Sequence, residues 1–228
     1  MPKTKRISWK RASRFAKKYP TGRRKTFRRS KPKSKISNFH RFHRYGTTDT
    51  RVTTTNASET SFAEHFQFDQ ITAYTEFTSL FDTYRIDGVL LKFQLISNPD
   101  ATYSTASGTA LNTGNYYPKL WYCVDYDDAN PLTLSAMKER GNVKCRVLRP
   151  NSFLNILIRP NILSLIYRTN LTSGYAPKPR CWIDAANVDV PHYAFKFIIE
   201  SPFISTGIPN QFIVREERKF YFSVKGVI

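Results

Sequence analysis

The chain has 228 residues and a formal net charge of +19 at pH 7. Residues 1–46 hold 18 basic residues and no Asp or Glu, whereas residues 47–228 hold 18 basic and 17 acidic residues. Aromatic residues make up 14% of the sequence, which excludes a wholly disordered protein because such chains lack the apolar side chains that build a core. The composition therefore indicates a polycationic segment joined to an almost neutral folded body.

Residues 1–46 are predicted to be a disordered basic N-terminal arm, because like charges at this density repel one another. Each Lys or Arg that neutralises a phosphate releases counterions, so we expect the arm to bind nucleic acid without sequence preference rather than act only as a solvated tail. The nucleic-acid-binding candidates are Lys3, Lys5, Arg6, Lys10, Arg11, Arg14, Lys17, Lys18, Arg23, Arg24, Lys25, Arg28, Arg29, Lys31, Lys33, Lys35, Arg41 and Arg44. Aromatic residues interleaved with this charge are candidates for stacking on unpaired bases; they are Trp9, Phe15, Tyr19, Phe27, Phe39, Phe42 and Tyr45. The basic clusters also have the character of a nuclear localisation signal.

Residues 47–228 are predicted to be one folded domain that opens with a hinge or an extended first strand at Thr47–Ser61. Period-2 alternation and nearly continuous apolar runs then predict eight strands, at residues 62–69, 84–97, 119–126, 143–148, 152–158, 181–185, 193–200 and 212–225. Short helical segments are expected at residues 74–84 and 131–139, a loop at 98–117 and irregular structure at 161–179. Many strands with only two short helices favour a two-sheet all-β sandwich over a βαβ fold.

Three aspartates, Asp125, Asp127 and Asp128, form an acidic cluster that could hold a hard cation through its oxygens. A nuclease that uses these residues with a divalent metal is one alternative function. No His or Cys accompanies them at motif spacing, so we expect instead a strand-end loop that pairs with a neighbouring subunit or is solvated. His65 and His192 are expected to be core or interface groups. Because no catalytic motif frames the Ser, His and Asp residues, we expect no enzyme activity, no metal and no cofactor.

The three cysteines, Cys123, Cys145 and Cys181, lie in separate apolar runs without partners at zinc-ligand spacing. They are expected to be reduced, buried thiols. The basic N-terminus is not followed by the apolar segment of a secretory signal, and the longest apolar stretch, Phe153–Tyr167, is interrupted by a charged residue and a proline. We therefore expect neither secretion nor membrane insertion.

Several short motifs follow one another along the body: Tyr84-Arg85-Ile86 with Val89 and Phe93, Trp121 with Asp125–Asn130, Cys181–Asp184, His192-Tyr193 and Arg218–Gly226. Their order behind a basic N-terminal arm resembles that of circovirus-type capsid proteins over nearly the whole chain. The resemblance implies an eight-stranded jelly roll made of two four-stranded antiparallel sheets. It also implies a coat protein, sixty copies of which assemble into a small T=1 icosahedral shell with the arms inside.

The same resemblance implies three kinds of partner: further copies of the chain, a circular single-stranded DNA genome and the host nuclear-import machinery. It implies a location in the virion and, during assembly, in the host nucleus. It does not identify a host-cell attachment receptor. The arm departs from the most arginine-dense members by containing Lys and Arg in equal number. The alternative function is a cellular or phage nucleic-acid-binding module, ribosomal or chromatin-like, with a basic extension.

Overall fold

The computed structural model describes residues 39–47, 50–53, 59–96, 102–104, 110–112, 117–169, 173–200 and 213–227. In chain order the elements of these residues are β1 (Phe39–Tyr45), β2 (Thr50–Thr53), β3 (Glu59–Phe66), a 3₁₀ turn (Phe68–Gln70), α1 (Tyr74–Thr78), β4 (Phe81–Leu95), β5 (Thr102–Ser104), β6 (Ala110–Asn112), β7 (Lys119–Val124), α2 (Leu134–Lys138), β8 (Lys144–Val147), β9 (Leu154–Ile158), β10 (Ile162–Arg168), β11 (Ser173–Lys178), β12 (Ile183–Asp184), β13 (His192–Glu200) and β14 (Ile213–Val227). Among these residues no helix is long and apolar enough to cross a membrane.

Two antiparallel sheets form the body. In the first, the β14 sheet, the strand order is β1-β14-β4-β9, with β2 also pairing with β14 and β12 with β4. In the second, the β13 sheet, the order is β3-β13-β7-β8. Along the chain, β1, β4, β9 and β14 of the first sheet are interleaved with β3, β7, β8 and β13 of the second. This arrangement is an eight-stranded jelly roll, so the predicted fold class is confirmed.

The core lies between the two sheets and is rich in phenylalanine. The ring centroids of Phe93 on β4 and Phe197 on β13 are 5.1 Å apart, and those of Phe66 on β3 and Phe220 on β14 are 6.2 Å apart. All four side chains are fully buried. Pairs of this kind add about 0.5–1.5 kcal/mol beyond the area that they bury. Because these rings fix one face of the β14 sheet against its partner, the opposite face is directed toward solvent.

The prediction that residues 1–46 form a disordered arm is wrong for its last part. Phe39–Tyr45 is strand β1, which pairs antiparallel with β14 over its whole length. It is held by the ring of Phe42, whose centroid lies 5.1 Å from that of Phe77 and 5.9 Å from that of Phe222. The positive charge does not prevent strand formation, because Arg41 and Arg44 both remain exposed. The jelly roll therefore begins at Phe39, eight residues before the predicted body.

Other boundaries also differ from prediction. The segment predicted to be irregular, residues 161–179, contains the antiparallel pair β10 and β11. A two-stranded ribbon tolerates the prolines that suggested irregular structure, since a strand with a free edge does not need every N–H donor. The strand predicted at 181–185 is reduced to two residues of β12. Most of the predicted loop at 98–117 lies outside the described residues.

The three cysteines are free thiols. Cys123 is buried, as predicted, and burial raises the pKa of its thiol. Cys145 and Cys181 are only partly buried, which corrects the prediction for these two. Cys145 lies on edge strand β8, where a side chain is covered by fewer neighbours.

Candidate nucleic-acid interface

Side chains of β14 point alternately into the core and toward the solvent-directed face of the β14 sheet. Phe220, Phe222 and Val224 point into the core and are at most 1% exposed. The residues that alternate with them from 219 to 225 therefore point to the other side, because successive side chains in a strand alternate. They include Lys219 and Lys225. A single strand thus presents an apolar face inward and a basic face outward.

The neighbouring strands bring more positive charge to the same side. Residues paired across a sheet share a face, and Lys225 is paired with Phe39 and Thr83, while Lys219 is paired with Tyr45 and Leu90. We call this surface the basic face. Its basic members are Arg41, Arg85, Lys92, Arg159, Arg180, Arg215, Lys219 and Lys225, and its acidic members are Asp87, Asp184 and Glu217. The imbalance makes this side of the body a positively charged surface.

Each carboxylate of the basic face already has a partner, and that of Asp184 accepts a hydrogen bond of 2.8 Å from the Ala186 N–H. Asp87 Oδ1 accepts a hydrogen bond of 2.7 Å from Arg85 Nε and lies 2.7 Å from Arg85 Nη2 in the same ion pair. Glu217 lies 3.2 Å from Arg215 and 3.8 Å from Lys92. In the part of the chain that the structure describes, no carboxylate lies within ion-pair distance of the other basic members, which are Arg41, Arg159, Arg180, Lys219 and Lys225. Their charge is available to an external anion.

Aromatic rings separate the basic groups of this face. The Lys219 ammonium lies 5.5 Å from the ring centroid of Tyr45 and 5.7 Å from that of Tyr221. The Lys225 ammonium and the Arg85 guanidinium lie 4.6 and 4.7 Å from the ring of Trp182. Alternating cations and rings are typical of surfaces that bind single-stranded nucleic acid, since the cations contact phosphates and the rings stack on bases.

Most of the predicted binding residues lie outside the described residues. These are the basic candidates from Lys3 to Lys35 and the stacking candidates Trp9, Phe15, Tyr19 and Phe27.

The remaining five candidates are in β1, and their side chains lie on opposite faces of the β14 sheet. Phe39, Arg41 and Tyr45 belong to the outward register of the basic face. Phe42 and Arg44 belong to the other side, where the Phe42 ring joins the aromatic packing of the body and the Arg44 guanidinium lies 5.8 Å from the ring of Phe77.

The basic residues of the body were missed by the sequence reasoning. A signal for part of them was present: in residues 219–225 the order Lys-Phe-Tyr-Phe-Ser-Val-Lys alternates strictly between apolar and polar or aromatic-polar side chains. That alternation predicts a strand with one solvent face carrying two lysines and a tyrosine. Arg159 and Arg180 lie in short connections beside strands, and no local pattern marks them.

Two residues of the acidic cluster, Asp125 and Asp128, pair with cations of the same subunit, whereas the third is exposed to solvent. Lys196 of β13, which is 2% exposed, reaches the carboxylates of Asp125, at 3.0 Å, and of Asp128. Arg140 lies 2.6 Å from the same Asp125 carboxylate. Asp127 is exposed and donates its backbone N–H to Asp125. Asp125 and Asp128 thus have cationic side chains as partners, and no potential metal-binding cluster occurs among the described residues.

The electrostatics of this network agree with its geometry. Burial raises the pKa of Asp125, but the hydrogen bonds from Lys196 and the Asp127 N–H and the charges of Lys196 and Arg140 together hold it below its usual value. Burial lowers the pKa of Lys196, and its two carboxylate partners more than reverse that effect. His192, at the start of β13, is buried, as predicted for a core group, and burial lowers the pKa of its imidazole. The network of Asp125, Asp128, Arg140 and Lys196 is therefore a structural ion cluster beside the paired strands β7 and β13.

Replacing Lys196 with Met is expected to lower the free energy of unfolding by about 1–3 kcal/mol, because Asp125 keeps Arg140 but loses its buried donor. The measurement is chemical denaturation at neutral pH. Asp127→Asn is the matched control, since its exposed carboxylate pairs with no described cation, and it should change stability by less than about 0.5 kcal/mol. Equal losses in both variants would contradict the assignment of the buried network.

Both the sequence and the fold of this chain are similar to those of known proteins. A sequence profile of the circovirus capsid protein family matches residues 8–228, whereas no curated protein matches the sequence. Among solved structures, the 60-mer of the BFDV capsid protein is similar, with a TM-score of 0.56 and 13% identity over 83% of this chain and 96% of that chain. The decamer of the BFDV capsid protein has a TM-score of 0.49 and 12% identity over 82% of this chain and 99% of that chain.

Proposed function

Because the chain belongs to the circovirus capsid protein family, we propose that it encloses single-stranded DNA in a closed shell and holds that DNA with both its N-terminal arm and its basic face. As a capsid protein it is a structural component of the virion, and the family is not one of enzymes. The observation that carries the proposal is the basic face, where five cations without carboxylate partners stand among aromatic rings.

The arm and the basic face act on the same ligand. Residues 1–38 contain 16 basic residues and no acidic residue, and this segment is joined covalently to Phe39, the first residue of edge strand β1 and a member of the outward register of the basic face. We therefore place the end of the arm before Phe39 and assign residues 39–228 to the shell domain. Counterion release by both regions supports strong, salt-sensitive and sequence-independent binding.

The BFDV capsid protein forms a 60-mer, and we propose the same number of copies for this chain. Sixty arms would then bring on the order of a thousand positive charges to one cavity, which is enough to neutralise on the order of a kilobase of single strand. DNA binding would also relieve the repulsion between arms that opposes assembly. The basic clusters of the arm support entry into the host nucleus through the nuclear-import machinery before packaging.

The test is electron microscopy of the purified full-length protein together with assays of its DNA. We expect uniform closed shells that protect single-stranded DNA from nuclease. Replacing Lys219 and Lys225 with Gln should leave the shells intact but reduce the slope of log affinity against log salt by about 1.4, since each contact with a single strand contributes about 0.7. Lys144→Gln with Lys178→Gln removes two exposed lysines outside the basic face and serves as the control. Absence of shells contradicts the capsid role, and an unchanged slope contradicts the role of the face.

A further inference from the structure

A cavity of about 300 Å³ opens on the basic face. Four arginines from separate parts of the fold surround it: Arg41 on β1, Arg85 on β4, Arg159 after β9 and Arg180 before β12. Because like charges repel, this convergence is unfavourable unless an anion occupies the space between them. Guanidinium groups are suited to that anion being a phosphate, which they bind through paired N–H donors.

One carboxylate, Asp87, also lines the cavity. Its oxygens are taken by the guanidinium of Arg85 and by the hydroxyl of Ser223. Among the described residues, Arg41, Arg159 and Arg180 have no carboxylate within ion-pair distance. Asp87 therefore orients Arg85 and leaves the charge of the other three arginines uncompensated.

A second cavity of about 260 Å³ adjoins the first and differs from it in chemistry. The two share Asp87, Arg159 and Tyr221, but the second is otherwise lined by Gly88, Leu90 and Leu157. Leu157 is 61% exposed, so it offers an apolar surface next to the cationic groups of the first cavity. A cationic compartment beside an apolar, tyrosine-containing one matches the two halves of a nucleotide.

The backbone of Arg180 supports a binding role for its side chain. Its φ angle is 51°, in the left-handed region that is costly for residues other than glycine. Strained positions of this kind persist where the surroundings hold them and are concentrated at ligand-binding sites. The angle also suggests a useful variant, Arg180→Gly. Glycine adopts this φ angle freely, so the substitution removes the charge of the side chain without straining the backbone.

We propose that the two adjoining cavities form a site for one nucleotide of a single DNA strand. The phosphate lies between Arg41, Arg159 and Arg180, and the base lies against Tyr221 and Leu157. The base must be unpaired to enter, so the site selects single strands over duplex. This inference rests on the proposed function and adds to it a fixed contact point on the body, distinct from the sequence-independent attraction of the arm.

The experiment uses the full chain and a ten-nucleotide oligothymidylate that carries one 5-iodouracil, which forms photochemical crosslinks to aromatic side chains. Crosslinked peptides are mapped by mass spectrometry. In the unmodified chain we expect a crosslink at Tyr221 in addition to crosslinks in the arm. The pair Arg159→Gln with Arg180→Gly should lower the Tyr221 yield about tenfold or more, as expected when a base loses its stacked position, while the yield in the arm stays the same.

The control pair is Arg149→Gln with Arg168→Gln, which removes two exposed arginines outside the basic face and should leave the Tyr221 yield unchanged. Thermal melting checks folding, and Arg180→Gly alone should melt at the same temperature as the unmodified chain or higher. If the variant without Arg159 and Arg180 still binds the oligonucleotide and its crosslink yield at Tyr221 is unchanged, the nucleotide site is contradicted. Failure of the unmodified chain to bind the oligonucleotide overturns the proposed function itself.

Discussion

A chain that lacks residues 1–46 is expected to lose its folded body, whereas a chain that lacks residues 1–36 is expected to keep the body and lose most of its DNA. The difference arises from β1, which the longer deletion removes and the shorter one leaves in place. Without β1, the edge of β14 loses a seven-residue ladder, and Phe77 and Phe222 lose the ring of Phe42.

The loss of β1 is large relative to the stability of a domain. An unpaired β14 exposes a row of backbone donors and acceptors along one of the two longest strands, which promotes aggregation. Domains are stable by only about 5–15 kcal/mol. Loss of one of the eight jelly-roll strands with its aromatic contacts is therefore expected to leave the domain unfolded at 37 °C, so that melting shows no cooperative transition. The shorter deletion removes none of the described strand pairs, which begin at Phe39.

Two measurements separate the effects. Thermal melting reports whether each truncated chain has a cooperative transition, and nuclease protection reports how much DNA its particles retain. Particles lacking residues 1–36 that still protect a full complement of DNA would contradict the role of the arm. A cooperative transition at the same temperature in both truncations would contradict the place of β1 in the body.

The sequence was sufficient to predict the strands whose pattern is local. The strand β4 was predicted from a nearly continuous apolar run, in which Leu91, Phe93 and Leu95 are buried, and a short helix was predicted from the proline and glycine that flank α2. Such patterns come from the geometry of one segment and need no knowledge of its partners. They were enough for the fold class and for most strand positions.

The first strand was missed because its stability comes from a distant segment. Residues 39–45 pair with residues 219–225, and the register is fixed by that pairing rather than by local alternation. Read locally, the two phenylalanines are three residues apart and the segment lies at the end of a polycation, so charge density outweighed the strand pattern. Strand formation depended on β14, which sequence reasoning does not place beside it.

The arginine cavity could not be predicted for a similar reason. Its four arginines lie up to 139 positions apart and are brought together only by the sheet order. The acidic cluster shows the same limit: Asp125 and Asp128 were expected to pair with a neighbouring subunit or to be solvated, and their partner Lys196 lies on a strand that only the fold brings close. Composition indicated that the partner is a polyanion. The sheet topology was needed to show which basic side chains of the body are grouped on the basic face.

A second large effect is expected at a buried ion triad that no motif marked. Arg218 on β14 lies 2.5 Å from the carboxylate of Glu64 on β3 and 2.7 Å from that of Glu216. Glu216 is 0% exposed, and the triad links the two sheets. One guanidinium therefore compensates two buried carboxylates.

This imbalance makes the stability of the body depend on pH. Burial raises the pKa of Glu216 from 4.5 to about 7, with Arg218 opposing the shift and Glu64 adding to it. Between these two values the folded protein binds a proton that the unfolded chain has released. Stability is therefore greatest below about pH 4.5 for this group and falls as the pH rises to about 7. Glu216→Gln should flatten that part of the stability profile.

Arg218→Met is expected to lower the free energy of unfolding by about 3–5 kcal/mol at pH 8, because both carboxylates then remain buried without a counter-charge. The loss should be smaller at pH 5, where the carboxylates can protonate, and the additional changes Glu64→Gln and Glu216→Gln should recover most of the stability. Chemical denaturation followed by tryptophan fluorescence at the two pH values measures all of these changes. Arg215→Met, on the same strand but facing solvent and paired with Glu217, is the matched control and should cost less than about 1 kcal/mol. An Arg218 loss that is the same at both pH values would mean that hydrophobic packing, rather than uncompensated buried charge, explains the effect.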